Sequence, residues 1–327
     1  MPRPRRAWVS QETGSFHIIS RIVGGEIILY DGEKEYFLKL LERLASGFFV
    51  DIHAFCVMGN HFHILATGLE LEAKKASKKE LYVRYKAVYG KDADPPAGSV
   101  ESDGTLIPDE DGGVERLRRR LGSISCFVQE LKQTFSRWYN KKYERKGYLW
   151  SDRFKGVIVD KGEAQLACSA YIDLNPVRAG IVECPEDYRW CSLGLRVRYP
   201  GRSKKLLTLL STLDDNIEGF SRLDSPGKRI DTKSFYRYRK FVYLSGGLEK
   251  EGKAVIAPES VDDVVSHHGR IGIGDRFRFR VKNISEGLAV GSYSFIADIQ
   301  KSSNRKFIRP RTFIEGSYLF ATRVLRL

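Results

Sequence analysis

The chain has 327 residues, 42% of them hydrophobic and 29% charged, enough for two ordinary globular domains with real cores. No apolar run approaches the roughly 18 residues of a membrane span, and the basic start Met1-Pro-Arg-Pro-Arg-Arg lacks a signal peptide's apolar stretch, so a cytoplasmic protein is expected. A formal net charge of +14 repels itself unless a polyanion is the partner, which puts phosphate backbones first; five scattered cysteines without a C-x-x-C pair argue against a zinc knuckle or a disulfide frame.

Phe16-His-Ile-Ile-Ser-Arg-Ile-Val23 reads as a strand. From Asp31 to Ser46, Phe37, Leu38, Leu40, Leu41 and Leu44 recur at helical spacing, and Gly47 stops the pattern. Val50–Met58 and His61–Thr67 are strand-like and separated only by Gly59-Asn60, a hairpin signal. Residues 69 to about 114 turn rich in Lys, Asp, Pro and Gly; they read as an insertion with a helix near Glu80–Tyr89 and a mobile remainder. One long helix is expected from about Glu115 to Tyr143, then a strand near Lys155–Val159. The next helix is opened by the D-x-x-E spacing of Asp160 and Glu163 and closed at Asn175 by Pro176.

Strand, helix, strand, strand, helix, strand is a split β-α-β order. It predicts an α+β, ferredoxin-like domain, an antiparallel sheet backed by helices, over residues 1–195. Residues 196–327 are expected to be a basic, mainly helical extension. There Phe235-Tyr-Arg-Tyr-Arg-Lys240 interleaves aromatics with cations, as single-strand binders and amphipathic helices both do. Gly274–Arg280 followed by Gly287–Ile296 is open to a helix-turn-helix-like reading or to a tail packed on the first domain.

The chemistry concentrates in two short stretches. In His61-Phe62-His63, alternate strand residues share a face about 6.5–7 Å apart, so two imidazoles can converge on one divalent ion; two polar residues at a strand edge is the other reading. In Tyr171-Ile-Asp-Leu-Asn175-Pro176, Tyr171 and Asn175 lie one helical turn apart with Cβ atoms about 5–6 Å from each other. A phenol beside an amide oxygen can serve as nucleophile and metal ligand, or be a plain tyrosine and an Asn near a helix end. His17 and His53 read as satisfied structural histidines, and His267-His268 as a loop pair.

Met58-Gly-Asn60 before His61-Phe62-His63, Leu149-Trp150-Ser-Asp-Arg153-Phe154-Lys155, and Tyr171-Ile-Asp-Leu-Asn175-Pro176-Val177-Arg178-Ala179-Gly180 together resemble the motifs of bacterial HUH single-tyrosine transposases, above all the REP-associated tyrosine transposases. The resemblance covers roughly residues 14 to 193, with 69–114 inserted; Phe62 stands where a smaller aliphatic is usual. It implies that residues 1–195 are a catalytic domain cleaving and rejoining single-stranded DNA near hairpins through a 5′-phosphotyrosine. Tyr171 would be the nucleophile, and His61, His63 and Asn175 would hold Mg²⁺ or Mn²⁺. No nucleotide cofactor is implied, the chain would act as monomer or homodimer, and it would be nucleoid-associated.

The expected DNA contacts are Arg116, Arg118, Arg119 and Arg120 in the basic run, Arg137 and Lys141 on the long helix, Trp150, Arg153 and Lys155, and Arg178. Tyr139, among aromatic and basic neighbours, is the backup nucleophile or a packing residue. A different class of function stays open: a catalytically silent or regulatory DNA- or RNA-binding protein on the same scaffold.

Overall fold

The computed structural model describes residues 14–90, 92–93, 112–160, 162–207, 232–271, 289–291, 297, 311–312 and 320–322. In chain order these form β1 (Gly14–Arg21), α1 (Asp31–Gly47), β2 (Val50–Val57), β3 (His61–Gly68), α2 (Glu70–Lys75), α3 (Lys78–Tyr89), α4 (Gly113–Leu121) and α5 (Ile124–Lys142). Then come β4 (Lys155–Asp160), α6 (Glu163–Asp173), α7 (Asn175–Arg178), α8 (Ser192–Arg198), α9 (Pro200–Leu206), α10 (Thr232–Gly247) and α11 (Pro258–Ser266). Three short strands follow, β5 (Ala289–Gly291), β6 (Arg311–Thr312) and β7 (Phe320–Thr322).

β1 to β4 make one sheet in the order β2-β3-β1-β4, antiparallel at every pairing. This is the α+β arrangement that the element order implies, with β1 and β3 central. Directly paired residues of antiparallel strands share a face, so the register sorts the sheet. Ile18 pairs Ile64 and Phe55 pairs Ile64, while Ile19 pairs His63 and Cys56 pairs His63. The first set faces α1 and α5: the Phe62 ring lies 4.9 Å from Phe37 and 5.3 Å from Trp150, and Phe37 lies 5.4 Å from Phe135. These rings are almost wholly buried, each contributing roughly 2–3 kcal/mol of apolar burial. The histidine face is covered in part by α6, which brings Tyr171 to His17 and His63 and Gln165 to Ser15.

Several local expectations change. The long helix is two helices, because Gly122 packs so closely on Ala73 that a Cβ there would sit 2.8 Å from its methyl. Ser123 then caps the second helix by accepting from the Cys126 N–H. Asp160 is the last residue of β4 rather than a cap, and α6 starts behind Gly162, whose φ of 78° an L side chain rarely adopts. Pro176 does not end the helical path. Leu174 stays in the right-handed region and α7 follows with Pro176 in its first turn, where a missing N–H costs nothing. In the insertion, α2 and α3 form; residues 94–111 lie outside those described.

The chain stays on the first domain past residue 195. Arg202 of α9 pairs with Glu35 and Glu42 of α1, and Leu207 bridges to Ile52. In the basic extension helix outweighs strand among the described residues, yet β5, β7 and β6 form a small antiparallel sheet. Most of the helix-turn-helix-like segment lies outside the described residues, and its described part, Ala289–Gly291, is a strand. Among the described residues, no helix is long and apolar enough to cross a membrane.

Candidate metal and tyrosine site

The β2–β3 hairpin sets the first histidine. Met58 N–H donates to the His61 carbonyl across Gly59-Asn60, and neither turn residue has a positive φ. The turn is instead held from outside: the Gly59 carbonyl accepts from Ile28 and Leu29 N–H, and Asn60 Nδ2 donates to the Gly25 carbonyl at 2.8 Å. Asn60 Oδ1 lies 2.6 Å from His61 Nδ1. An amide oxygen only accepts, so Nδ1 carries the proton and Nε2 is the His61 atom with a lone pair to offer.

His63 stands two residues along the same face, its ring 5.0 Å from that of His61. Its Nδ1 meets His17 Nε2 of β1 at 2.9 Å, with the rings stacked 5.1 Å apart. Burial lowers all three imidazoles: His17 to about 4, helped by Lys155; His61 to about 4, helped by Arg21; His63 to about 3, helped by His61, His17 and Arg21. All are neutral at neutral pH, the form that ligates a metal.

α6 reaches this face through a polar relay. Gln165 Nε2 donates to Ser15 Oγ at 2.7 Å, Ser15 Oγ meets Thr67 Oγ1 at 2.6 Å, and Thr67 Oγ1 meets His53 Nε2 at 2.8 Å. His53 is thus a structural histidine of that relay. Two turns beyond Gln165, Tyr171 lies with its ring 5.9 Å from His17 and 5.9 Å from His63, edge-on to both, and is 48% exposed. Phenol and histidines therefore share one pocket. Asn175 turns its Nδ2 to the Tyr171 carbonyl at 2.9 Å and the Ile172 carbonyl at 3.5 Å, so Oδ1 is the atom it could offer a cation.

Among the described residues, no group of three or more His, Cys, Asp or Glu side chains is arranged to hold a metal. His61, whose Nε2 lone pair is left available by Asn60, and the neutral His63 beside it are donors of a type that a divalent ion with further oxygen ligands from an amide, water or phosphate would use.

The expected DNA contacts divide. Lys155 shares the histidine face, paired with Ile19, and is exposed, as are Arg116, Arg119, Lys141 and Arg153. Arg137 is exposed while donating to the Gln133 carbonyl and Thr134. Four others are engaged within the protein. Trp150 is buried against Phe62 and Phe135, its Nε1–H donating to the Lys132 carbonyl at 3.1 Å. Arg118 gathers the carbonyls of Ala73, Lys74 and Ala76, where α2 ends. Arg120 pairs with Glu130 and donates to Tyr89 Oη. Arg178 binds the carbonyls of Ser245, Leu248 and Ala254. Tyr139 is buried, with Phe135, Trp138 and Tyr143 as its ring neighbours, and burial raises its hydroxyl pKa; it is a packing residue, not a backup nucleophile.

Sequence reasoning missed three members of this site. His17 was legible only through the register that sets it diagonally across from His63. Arg21 pairs with His61 in that register and is exposed. Lys250, from the extension, places Nζ 5.9 Å from the centre of the Tyr171 ring, and nothing in its sequence neighbourhood marks it.

No family model matches the chain, and no curated protein matches it. Among solved structures, that of a REP-associated tyrosine transposase bound to a REP hairpin is similar over 71% of this chain and 100% of its own, with 16% identity and a TM-score of 0.39.

Proposed function

We propose that this protein cleaves and rejoins single-stranded DNA carrying hairpins, with Tyr171 as nucleophile and His61, His63 and Asn175 as ligands of Mg²⁺ or Mn²⁺. The observation that carries the reading is the meeting of a half-exposed Tyr171 with the His17–His63 pair on one polar sheet face. The order of the three sequence motifs supports it independently.

A phenol ionises near pH 10, and a phosphodiester is an anion that resists attack. A divalent ion held by His61, His63 and Asn175 would neutralise charge on the scissile phosphate and align it. Tyr171 Oη bonds to phosphorus, its proton passing to solvent; the P–O3′ bond breaks, and the departing 3′-oxygen takes up a proton. The product is a 5′-phosphotyrosine and a free 3′-hydroxyl. A second 3′-hydroxyl reverses the step on a new partner, so the ester's energy is kept and no ATP is needed. Asn60 holds the tautomer of His61, and His17 orients His63.

The test is incubation with hairpin-bearing single-stranded oligonucleotides and Mn²⁺, followed by denaturing electrophoresis. A covalent protein–DNA adduct is expected from the native chain and not from Tyr171→Phe. One observation favours a second reading: among the described residues, no group of three or more His, Cys, Asp or Glu side chains is arranged to hold a metal. A chain that binds DNA or RNA across many substrates without any adduct would be a silent or regulatory binder on this scaffold.

A further inference from the structure

The extension grips the helix that carries Tyr171. Two residues beyond Tyr171, Asp173 is fully buried. Its carboxylate accepts from Tyr238 Oη of α10 at 2.6 Å, from Ser192 Oγ, and from the Leu193 N–H at 2.9 Å. On the same face of α10, Arg239 pairs with buried Glu186, which also accepts from Tyr243 Oη at 2.8 Å. Gly246 lets α10 close on Leu174, since a Cβ there would sit 2.8 Å from that side chain. Arg178, three residues past Asn175, collects the Ser245, Leu248 and Ala254 carbonyls at the end of α10. Buried polar groups so fully paired fix one docking geometry.

That geometry ends at the phenol. The chain leaving α10 carries Lys250, whose Nζ stands 5.9 Å from the Tyr171 ring centre, and both residues are exposed. This separation is at the outer limit of about 6 Å for attraction to a ring face, so the ring alone does not hold the ammonium. A cation on a flexible stem beside a nucleophile facing a phosphodiester suits a non-bridging phosphate oxygen.

We propose that the C-terminal extension completes the tyrosine site by supplying Lys250 as the cation that takes a non-bridging oxygen of the phosphate attacked by Tyr171. The inference rests on Tyr171 being the nucleophile. It makes the extension part of the reaction machinery rather than a separate DNA reader.

The experiment uses the full chain with a saturating hairpin-bearing oligonucleotide and Mn²⁺. It compares single-turnover adduct formation by wild type, Lys250→Ala and Lys250→Arg, with DNA affinity measured in a Tyr171→Phe background. Lys250→Ala is expected to slow adduct formation by roughly 10- to 100-fold, at the lower edge of what losing one charge-stabilising donor costs because this one is exposed. Affinity should change by less than about threefold, one contact among many, and Lys250→Arg should restore most of the rate. An unchanged rate in Lys250→Ala, or a rate loss mirrored by affinity loss, overturns the assignment while leaving Tyr171 as nucleophile. A wild-type chain that forms no adduct overturns both.

Discussion

The two faces of the four-stranded sheet have opposite characters although the same strands build them. On β3, Phe62 is sealed among Phe37, Trp150 and the α1–α5 layer, while His61 and His63 on either side face a polar pocket with His17 and Tyr171. A strand's period of two lets one tripeptide supply core and site at once. Stability and chemistry should therefore separate by residue parity.

The largest expected effect tests that separation. Phe62→Ala should cost about 3–5 kcal/mol in urea melts, the usual cost of emptying an aromatic from a closed core. His63→Ala should cost about 1–2 kcal/mol, mainly by leaving the His17 nitrogen without its partner, yet abolish adduct formation. If the two variants were equally destabilised, the histidine would belong to the core and the contrast between the faces would fail.

A somewhat smaller effect sharpens the polar side. Unfolded His17 takes up a proton near pH 6.5; folded, it does so only near pH 4, because burial and Lys155 oppose the charge. Its folded pKa is lowered, so the unfolded state binds the extra proton between those values, and stability is lost as pH falls from about 6.5 toward 4. His17→Gln, which keeps an amide to face His63 Nδ1, should remove about 2 kcal/mol of the stability difference between pH 7 and pH 4.5 in metal-free buffer. An unaltered pH profile would mean that His17 is solvated.

What the sequence disclosed follows the same division. Strand alternation and the hairpin are local patterns, so the sheet and the His61–His63 pair were readable from spacing. Tyr139 and Tyr171 show where local reading stops. Both are tyrosines on helices, but α5 turns Tyr139 into the aromatic layer while α6 leaves Tyr171 over the histidines. Only sheet order separates them. Trp150 and Arg178 looked like DNA contacts because their types suit that role; their partners, 18 or more residues away, are tertiary facts. The break at Gly122-Ser123 has a residue-type signal, a glycine followed by a capping serine, but its cause, the close approach of Gly122 to Ala73, is a tertiary fact. Lys250 carried no signal, since its position depends on the docking of α10.

The smallest effect separates surface cations from structural ones. Lys155 lies on the histidine face of the exposed edge strand β4, so on the proposed reading it meets phosphate. Lys155→Ala should lower the slope of log affinity against log salt by about 0.7, the share of one phosphate contact on single-stranded DNA, and leave the melt within about 0.5 kcal/mol of wild type. Arg178→Ala should do the reverse. It strips three carbonyls of a charged donor, costing about 1–2 kcal/mol of stability, with the salt slope unchanged. The two arginine-or-lysine classes look alike in the sequence, and the pair of measurements tells them apart because counterion release reports only charges that touch DNA. A salt slope that falls with Arg178→Ala and not with Lys155→Ala would mean that the DNA runs over Arg178 and not along the edge strand.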